Sequence, residues 1–179
     1  MPTGWISAFT LIAAAGASAP PPPPACIAAE YRQFDFWLGR WDVYDPRSQK
    51  KVAESLIEPV YHGCGIRENW RPDRDAGGSL SIYLPAQGKW YQSWIDSQGS
   101  RAEFDGRWTG QAMVLEGDWP SPPDPAHPHR VRMTYTPNPD GSVLQRGQAS
   151  TDGGASWTES FAFLYRHAAP APPAAAAGQ

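Results

Sequence analysis

From residue 40 onward the chain alternates between apolar and polar positions in short runs. Trp90, Gln92 and Trp94 fall on one parity, with Tyr91, Ser93 and Ile95 on the other. Ala102, Phe104, Gly106 and Trp108 alternate with Arg101, Glu103, Asp105 and Arg107. Trp157, Phe161, Phe163 and Tyr165 alternate with Thr158, Ser160, Ala162 and Leu164. A period of two is the signature of a strand with one buried face. Read this way, the chain predicts about ten strands, over 40–45, 51–60, 64–71, 79–84, 89–96, 101–108, 112–118, 130–136, 142–150 and 157–166. Before them, Tyr31, Phe34, Trp37 and Leu38 recur at helical spacing, which predicts a short N-terminal helical turn stopped by Gly39.

The links between strands are short and carry turn chemistry: Ala86-Gln87-Gly88, Asp96-Ser97-Gln98-Gly99, Thr109-Gly110, Asn138-Pro139-Asp140-Gly141 and Asp152-Gly153-Gly154. Short links join antiparallel neighbours, and no segment is long enough to carry a parallel crossover. The expectation is an all-β fold, a single antiparallel up-and-down meander. Such a meander leaves two open edges unless it closes into a barrel, and closure of about ten strands can enclose one small ligand. The link at 119–129 is long and Pro-rich, so it reads as a loop over one mouth, with a disordered link as the alternative.

Composition bounds the domain. Residues 1–30 contain no Lys or Arg, and Pro20–Pro24 are consecutive prolines; residues 168–179 are almost entirely Ala and Pro. The apolar stretch at 6–17, followed by Ala17-Ser18-Ala19, reads as a secretory signal peptide over 1–19, with a plain N-terminal tail as the alternative. Residues 20–30 then form a Pro/Ala-rich linker, 31–167 the barrel domain and 168–179 a disordered tail. The implied address is the periplasm or the outside of the cell. Net charge is −3, and Lys/Arg residues cluster no further than the pair Lys50-Lys51, so nucleic-acid binding is disfavoured. No apolar run reaches the ~18 residues of a membrane-spanning helix.

Two cysteines occur, Cys26 and Cys64. In an exported chain they point to one disulfide tying the N-terminal segment to the barrel; two unpaired thiols are the alternative. Neither has zinc-like spacing, and no metal site is expected.

Gly39-Arg40-Trp41 opens the first strand. Gly-x-Trp in that place resembles the signature of the lipocalins and their calycin relatives. The resemblance implies that Trp41 plugs the closed end of the barrel and that an Arg of the last strand, here Arg166, packs across it. The wider pattern resembles a family of small, secreted, uncharacterised bacterial proteins with a lipocalin-like fold. It runs through Phe34-Asp35-Phe36-Trp37-Leu38-Gly39-Arg40-Trp41-Asp42-Val43, Gly63-Cys64 with Glu68-x-Trp70, and Gly88-x-Trp90-x-Gln92-x-Trp94-x-Asp96. It continues through Asp140-Gly141-Ser142-Val143-x-Gln145 and Ser150-x-Asp152-x-Gly154-x-x-Trp157. It covers residues ~26–166. It implies a fold and an address, and no catalytic residues.

Candidate chemistry is sparse. Ser150 to Trp157 also fits the Asp-box pattern, S-x-D-x-G-x-T/S-W, but a single copy reads as a hairpin turn in which Asp152 caps backbone N–H groups. Some calycin relatives bind haem through a barrel histidine; here only His62 or His129 could approach a mouth, and no cofactor is expected. No nucleophile elbow or paired-carboxylate arrangement is legible, so the chain reads more as a non-enzyme than an enzyme. The candidate ligand-binding residues are Glu68, Trp70, Gln92 and Trp94, two polar groups among flat apolar faces on nearby strands. The leading expectation is therefore an exported barrel holding a small apolar or aromatic ligand. The rivals are a structural or interaction protein whose barrel is filled by its own side chains, and, behind both, a hydrolase or haem-binding barrel.

Overall fold

A computed structural model describes residue 1, residues 26–121 and residues 124–169. The segments read as signal peptide and most of the linker and tail lie outside the described residues. Ten antiparallel strands form one closed meander barrel. They are β1 (Gly39–Tyr44), β2 (Lys51–Val60), β3 (Gly65–Pro72), β4 (Gly77–Leu84), β5 (Lys89–Asp96), β6 (Arg101–Trp108), β7 (Met113–Ser121), β8 (Asp124–Pro137), β9 (Val143–Ser150) and β10 (Thr158–His167). Each strand pairs with its sequence neighbours, and β1 pairs with β10 to close the ring, with Val43 opposite Tyr165 and Trp41 opposite His167. No helix among the described residues is long and apolar enough to cross a membrane.

The register stacks inward residues in layers, because cross-strand partners share a face. One layer runs Ile57, Glu68, Ser79, Trp94, Ala102 across β2 to β6. The next runs Ile66, Ser81, Gln92, Phe104, Gly117, Val131, Ala149 across β3 to β9. Large residues face small ones: Trp90 pairs with Gly106, Phe104 with Gly117, and Phe161 with Gly147. A Cβ at Gly147 would overlap the Phe161 ring, so the ring lies flat where a side chain would stand.

In a meander the turns alternate between the two ends. The turns after β2, β4, β6 and β8 lie at one end, together with the C-terminus of β10. This end is closed by the segment before β1, which forms two 3₁₀ turns, Ala29–Arg32 and Asp35–Trp37. Phe34 and Trp37 from this segment are fully buried. Phe34 stacks on Trp37 at 5.0 Å and meets Trp90 and Tyr135 edge-on. The Trp41 indole nitrogen donates to the Trp37 carbonyl at 2.9 Å, joining the plug to β1. Cys26 and Cys64 form a disulfide with Cα atoms 5.0 Å apart, and Arg32 donates to the Gly63 carbonyl beside it. The plug is thus fastened to the β2–β3 turn covalently and by hydrogen bond.

Three expectations need correction. The Pro-rich stretch is not a loop over 119–129: β7 continues to Ser121 and β8 starts at Asp124, with Trp119 opposite His129. Beyond Asp118 and Arg130 these arms pair only with each other, so each has an open outer edge, where proline removes no ladder hydrogen bond. Trp157 does not share a face with Phe161. The register slips between Glu159 and Phe161, and Ser160 is the extra residue. That bulge turns Trp157 outward, where the Arg132 guanidinium lies 4.0 Å over its ring. Finally, Arg166 does not cover Trp41. Arg166 pairs with Asp42 on the outer face, lies 5.0 Å over Tyr44 and donates to Gln49. The group stacked on Trp41 is His167, 3.9 Å away, one residue later and on the opposite parity.

Candidate ligand-binding site

Aromatic packing fills the closed half of the barrel, and the other half contains a cavity of about 520 Å³. That volume is in the range of small-molecule pockets. Strand alternation brings Glu68 and Trp70 (β3) and Gln92 and Trp94 (β5) into its wall, so all four sequence candidates line one space. Trp119, on β7, sits 6.0 Å from Trp94 and 5.6 Å from Phe104, and Trp70 packs 5.0 Å from Phe163. Phe161 stacks on Phe163 at 5.1 Å. The upper wall is therefore a collar of flat rings.

The floor is polar and borders the plug. Tyr135 and Tyr165 pack their rings against Trp37, at 4.8 and 5.9 Å, and turn their hydroxyls toward the cavity. The Tyr165 hydroxyl donates to Gln145 Oε1 at 2.8 Å. Gln145 Nε2 donates to the Tyr135 hydroxyl at 3.0 Å, and Tyr135 donates to Met133 Sδ at 3.5 Å. Gln92 Nε2 donates to Ser81 Oγ at 3.0 Å. The bonds from Tyr165 through Gln145 and Tyr135 to Met133 all run one way, so that part of the network is directional.

Glu68 lies at the edge of the floor and is 5 % exposed. Ser79 donates to its Oε2 at 3.0 Å and Ser55 to its Oε1 at 3.3 Å. The Tyr165 oxygen is 3.5 Å from Oε1, a weak contact, since its proton is committed to Gln145. Burial pushes the Glu68 carboxyl up to about 7, and the hydroxyl donors of Ser79 and Ser55 oppose that rise only in part. Burial also raises Tyr135 and Tyr165 well above the ordinary tyrosine value, with the Glu68 charge adding to it, so both stay neutral donors.

Sequence reasoning put Glu68, Trp70, Gln92 and Trp94 forward but left out Tyr135, Tyr165, Phe161, Phe163 and Trp119. The signal for the tyrosines was the alternation Val131-x-Met133-x-Tyr135 and Phe161-x-Phe163-x-Tyr165, whose inward parity ends at the plug. Of the two histidines, His129 lines the mouth, whereas His62 lies in the exposed 3₁₀ turn Tyr61–Gly63 at the closed end. Among the described residues no cluster of three metal-ligating side chains occurs. The Asp-box turn is a closed hydrogen-bonded unit. Ser150 Oγ donates to Asp152 at 2.7 Å, and Asp152 accepts from the Ser156 backbone and hydroxyl at 2.9 and 2.7 Å. These contacts hold the Asp152 carboxyl well below its usual range without directing it at the cavity. Comparison with protein-family models and with curated proteins finds no match to the chain.

Proposed function

We propose that this protein is an exported barrel of the lipocalin-like kind that binds a small apolar or aromatic molecule in its open half. The observation that carries this reading is the cavity of about 520 Å³, walled by aromatic rings and floored by a partly directional polar network. Pockets that hold small ligands combine a mainly apolar wall with a few convergent polar groups. The rival reading, a barrel filled by its own side chains, describes the plugged half, where Phe34, Trp37, Trp41 and Trp90 leave no space. It does not account for the half beyond Tyr135 and Tyr165. The disulfide supports export, because such bonds persist in oxidising compartments. The Gly39-Arg40-Trp41 opening, with its indole buried at the closed end, supports the lipocalin-like kinship.

The test is a fluorescence titration with N-phenyl-1-naphthylamine, an apolar probe, on wild type and on Ala149→Phe. Ala149 lines the cavity, so a ring there would occupy ligand space. Saturable one-to-one binding by wild type, lost in the filled variant with its fold intact, is the expected result. Absence of saturable binding to wild type by this probe and by a panel of small aromatic molecules would return the barrel to the filled, structural reading.

A further inference from the structure

Resting on that binding reading, we propose that the barrel selects ligands carrying a basic nitrogen, an apolar or aromatic amine whose ammonium group pairs with the Glu68 carboxylate. The geometry of the floor leads there. Tyr165, Gln145 and Tyr135 have their donors engaged within the protein, and Gln92 Nε2 donates to Ser81. Glu68 differs from them. A carboxylate has about four acceptor positions, and here two close hydroxyls and one distant one face it. The groups that face it come from β2 (Ser55), β4 (Ser79) and β10 (Tyr165), with the Tyr135 hydroxyl on β8 near enough to feel its charge. None of these is a cation, and among the described residues no Lys, Arg or His nitrogen lies within 4.0 Å of it.

A buried acid without a counter-ion is costly compared with an apolar side chain of similar size. The position opposite Ile57 in the barrel layer could hold such a side chain. The Glu68 carboxyl opens instead onto the cavity, where a ligand can supply the missing positive charge.

The wall favours the same sign. Trp70, Trp94, Trp119 and Phe163 surround the space with π faces, which attract cations at ring distances of up to ~6 Å. A ligand carboxylate would meet both the Glu68 charge and these faces, and no Lys or Arg among the described residues lines the space. A neutral alcohol would gain a hydrogen bond but leave the acid uncompensated.

The pairing carries a proton signature. Free Glu68 titrates at about 7, whereas an aliphatic ammonium stays charged to about pH 10. Binding the amine holds Glu68 ionised. Below neutral pH the complex therefore forms with release of a proton, and affinity falls up to tenfold for each unit of further acidification.

The experiment compares three ligands of one shape, 2-(2-naphthyl)ethylamine, 2-(2-naphthyl)ethanol and 3-(2-naphthyl)propanoate. Each is titrated by tryptophan fluorescence against wild type and Glu68→Gln at pH of about 8 and about 5.5. The expected result is at least a tenfold preference of wild type for the amine over the alcohol at the higher pH, with the carboxylate weakest. That preference shrinks at least tenfold at the lower pH. Glu68→Gln abolishes that preference, so that amine and alcohol bind the variant within about threefold of each other. Calorimetry of the amine in two buffers of different ionisation enthalpy reads proton release directly at the lower pH. If Glu68→Gln does not fold, the wild-type pH comparison and the calorimetry decide alone. An alcohol that binds as tightly as the amine, or an amine preference that survives in Glu68→Gln, overturns the amine assignment and leaves the pocket standing. Failure of all three ligands to bind wild type overturns the pocket and the amine together.

Discussion

The His167 imidazole stacks on the Trp41 indole, centroids 3.9 Å apart with planes 21° from parallel, directly across the β1–β10 seam that closes the barrel. Trp41 is 1 % exposed, and it also donates to the Trp37 carbonyl and meets Tyr165 edge-on. Trp41→Ala should cost ~3–5 kcal/mol, the range for removing a large buried aromatic. His167→Ala removes an exposed cap and should cost about 1 kcal/mol. Arg166→Ala should change stability by no more than about 0.5 kcal/mol, because its partners lie on the outer face. Urea unfolding of the three variants gives the ranking, and an Arg166 effect as large as that of Trp41 would contradict it.

The disulfide ties the plug to the β2–β3 turn over a sequence separation of 38 residues. Replacing both cysteines with serine should cost about 2–4 kcal/mol, through the freedom returned to the unfolded chain. The plug should loosen first, because Phe34 and Trp37 are held from one side by that bond. Hydrogen exchange is expected to rise over 28–38 before it rises in the strands.

Glu68 makes stability depend on pH in a direction unusual for an acid. Its folded value, about 7, lies above the ordinary 4.5, so between these values the folded state binds more protons than the unfolded state. The contribution is fully present below about pH 4.5 and is lost as pH rises through 7, a fall on the order of 3 kcal/mol. Asp35, raised by burial against the opposing charge of Arg32, acts in the same direction. Asp45, Glu116, Asp140 and Asp152 are lowered, so their contributions change below their ordinary values, outside this window. Glu68→Gln should flatten most of the slope between pH ~5 and ~8 and unfold at higher urea than wild type at the upper end. A slope unchanged by the substitution would contradict the placement of the charge.

Gly147 gives Phe161 its resting place against the wall. Gly147→Ala should push that ring off the β9 backbone and into the cavity, since a Cβ would overlap the ring edge. The expected outcome is at least a tenfold loss of affinity for an apolar probe, with a stability loss of about 1–3 kcal/mol from overpacking. Undiminished binding would mean that the ring finds room elsewhere.

Much of this was legible in one dimension. A period of two is a local property, so the inward placement of Glu68 between Ile66 and Trp70, and of Gln92 between Trp90 and Trp94, follows from the chain alone. What escaped depends on register between strands distant in sequence. The floor forms because Tyr135 faces Gln145, and Gln145 faces Phe163 beside Tyr165, across β8, β9 and β10. No local pattern announces that juxtaposition. A single inserted residue, Ser160, reversed the reading of Trp157, and a shift of one position exchanged Arg166 for His167 as the partner of Trp41. The long arms of β7 and β8 were hidden by prolines that a strand tolerates only where an edge is open.

Cys26 is bonded to the turn after β2, and the Ala168 amide donates to the Arg40 carbonyl at 2.9 Å, just past the end of β10. The domain therefore receives its chain and releases it at the same pole, the plugged one. A tag, a surface attachment or a second protein fused directly before Cys26 or after Ala168 is anchored at the base of the cup and leaves the rim facing outward. Immobilised at either of these points, the barrel keeps its opening toward the solution, the orientation a receptor on a sensor surface requires.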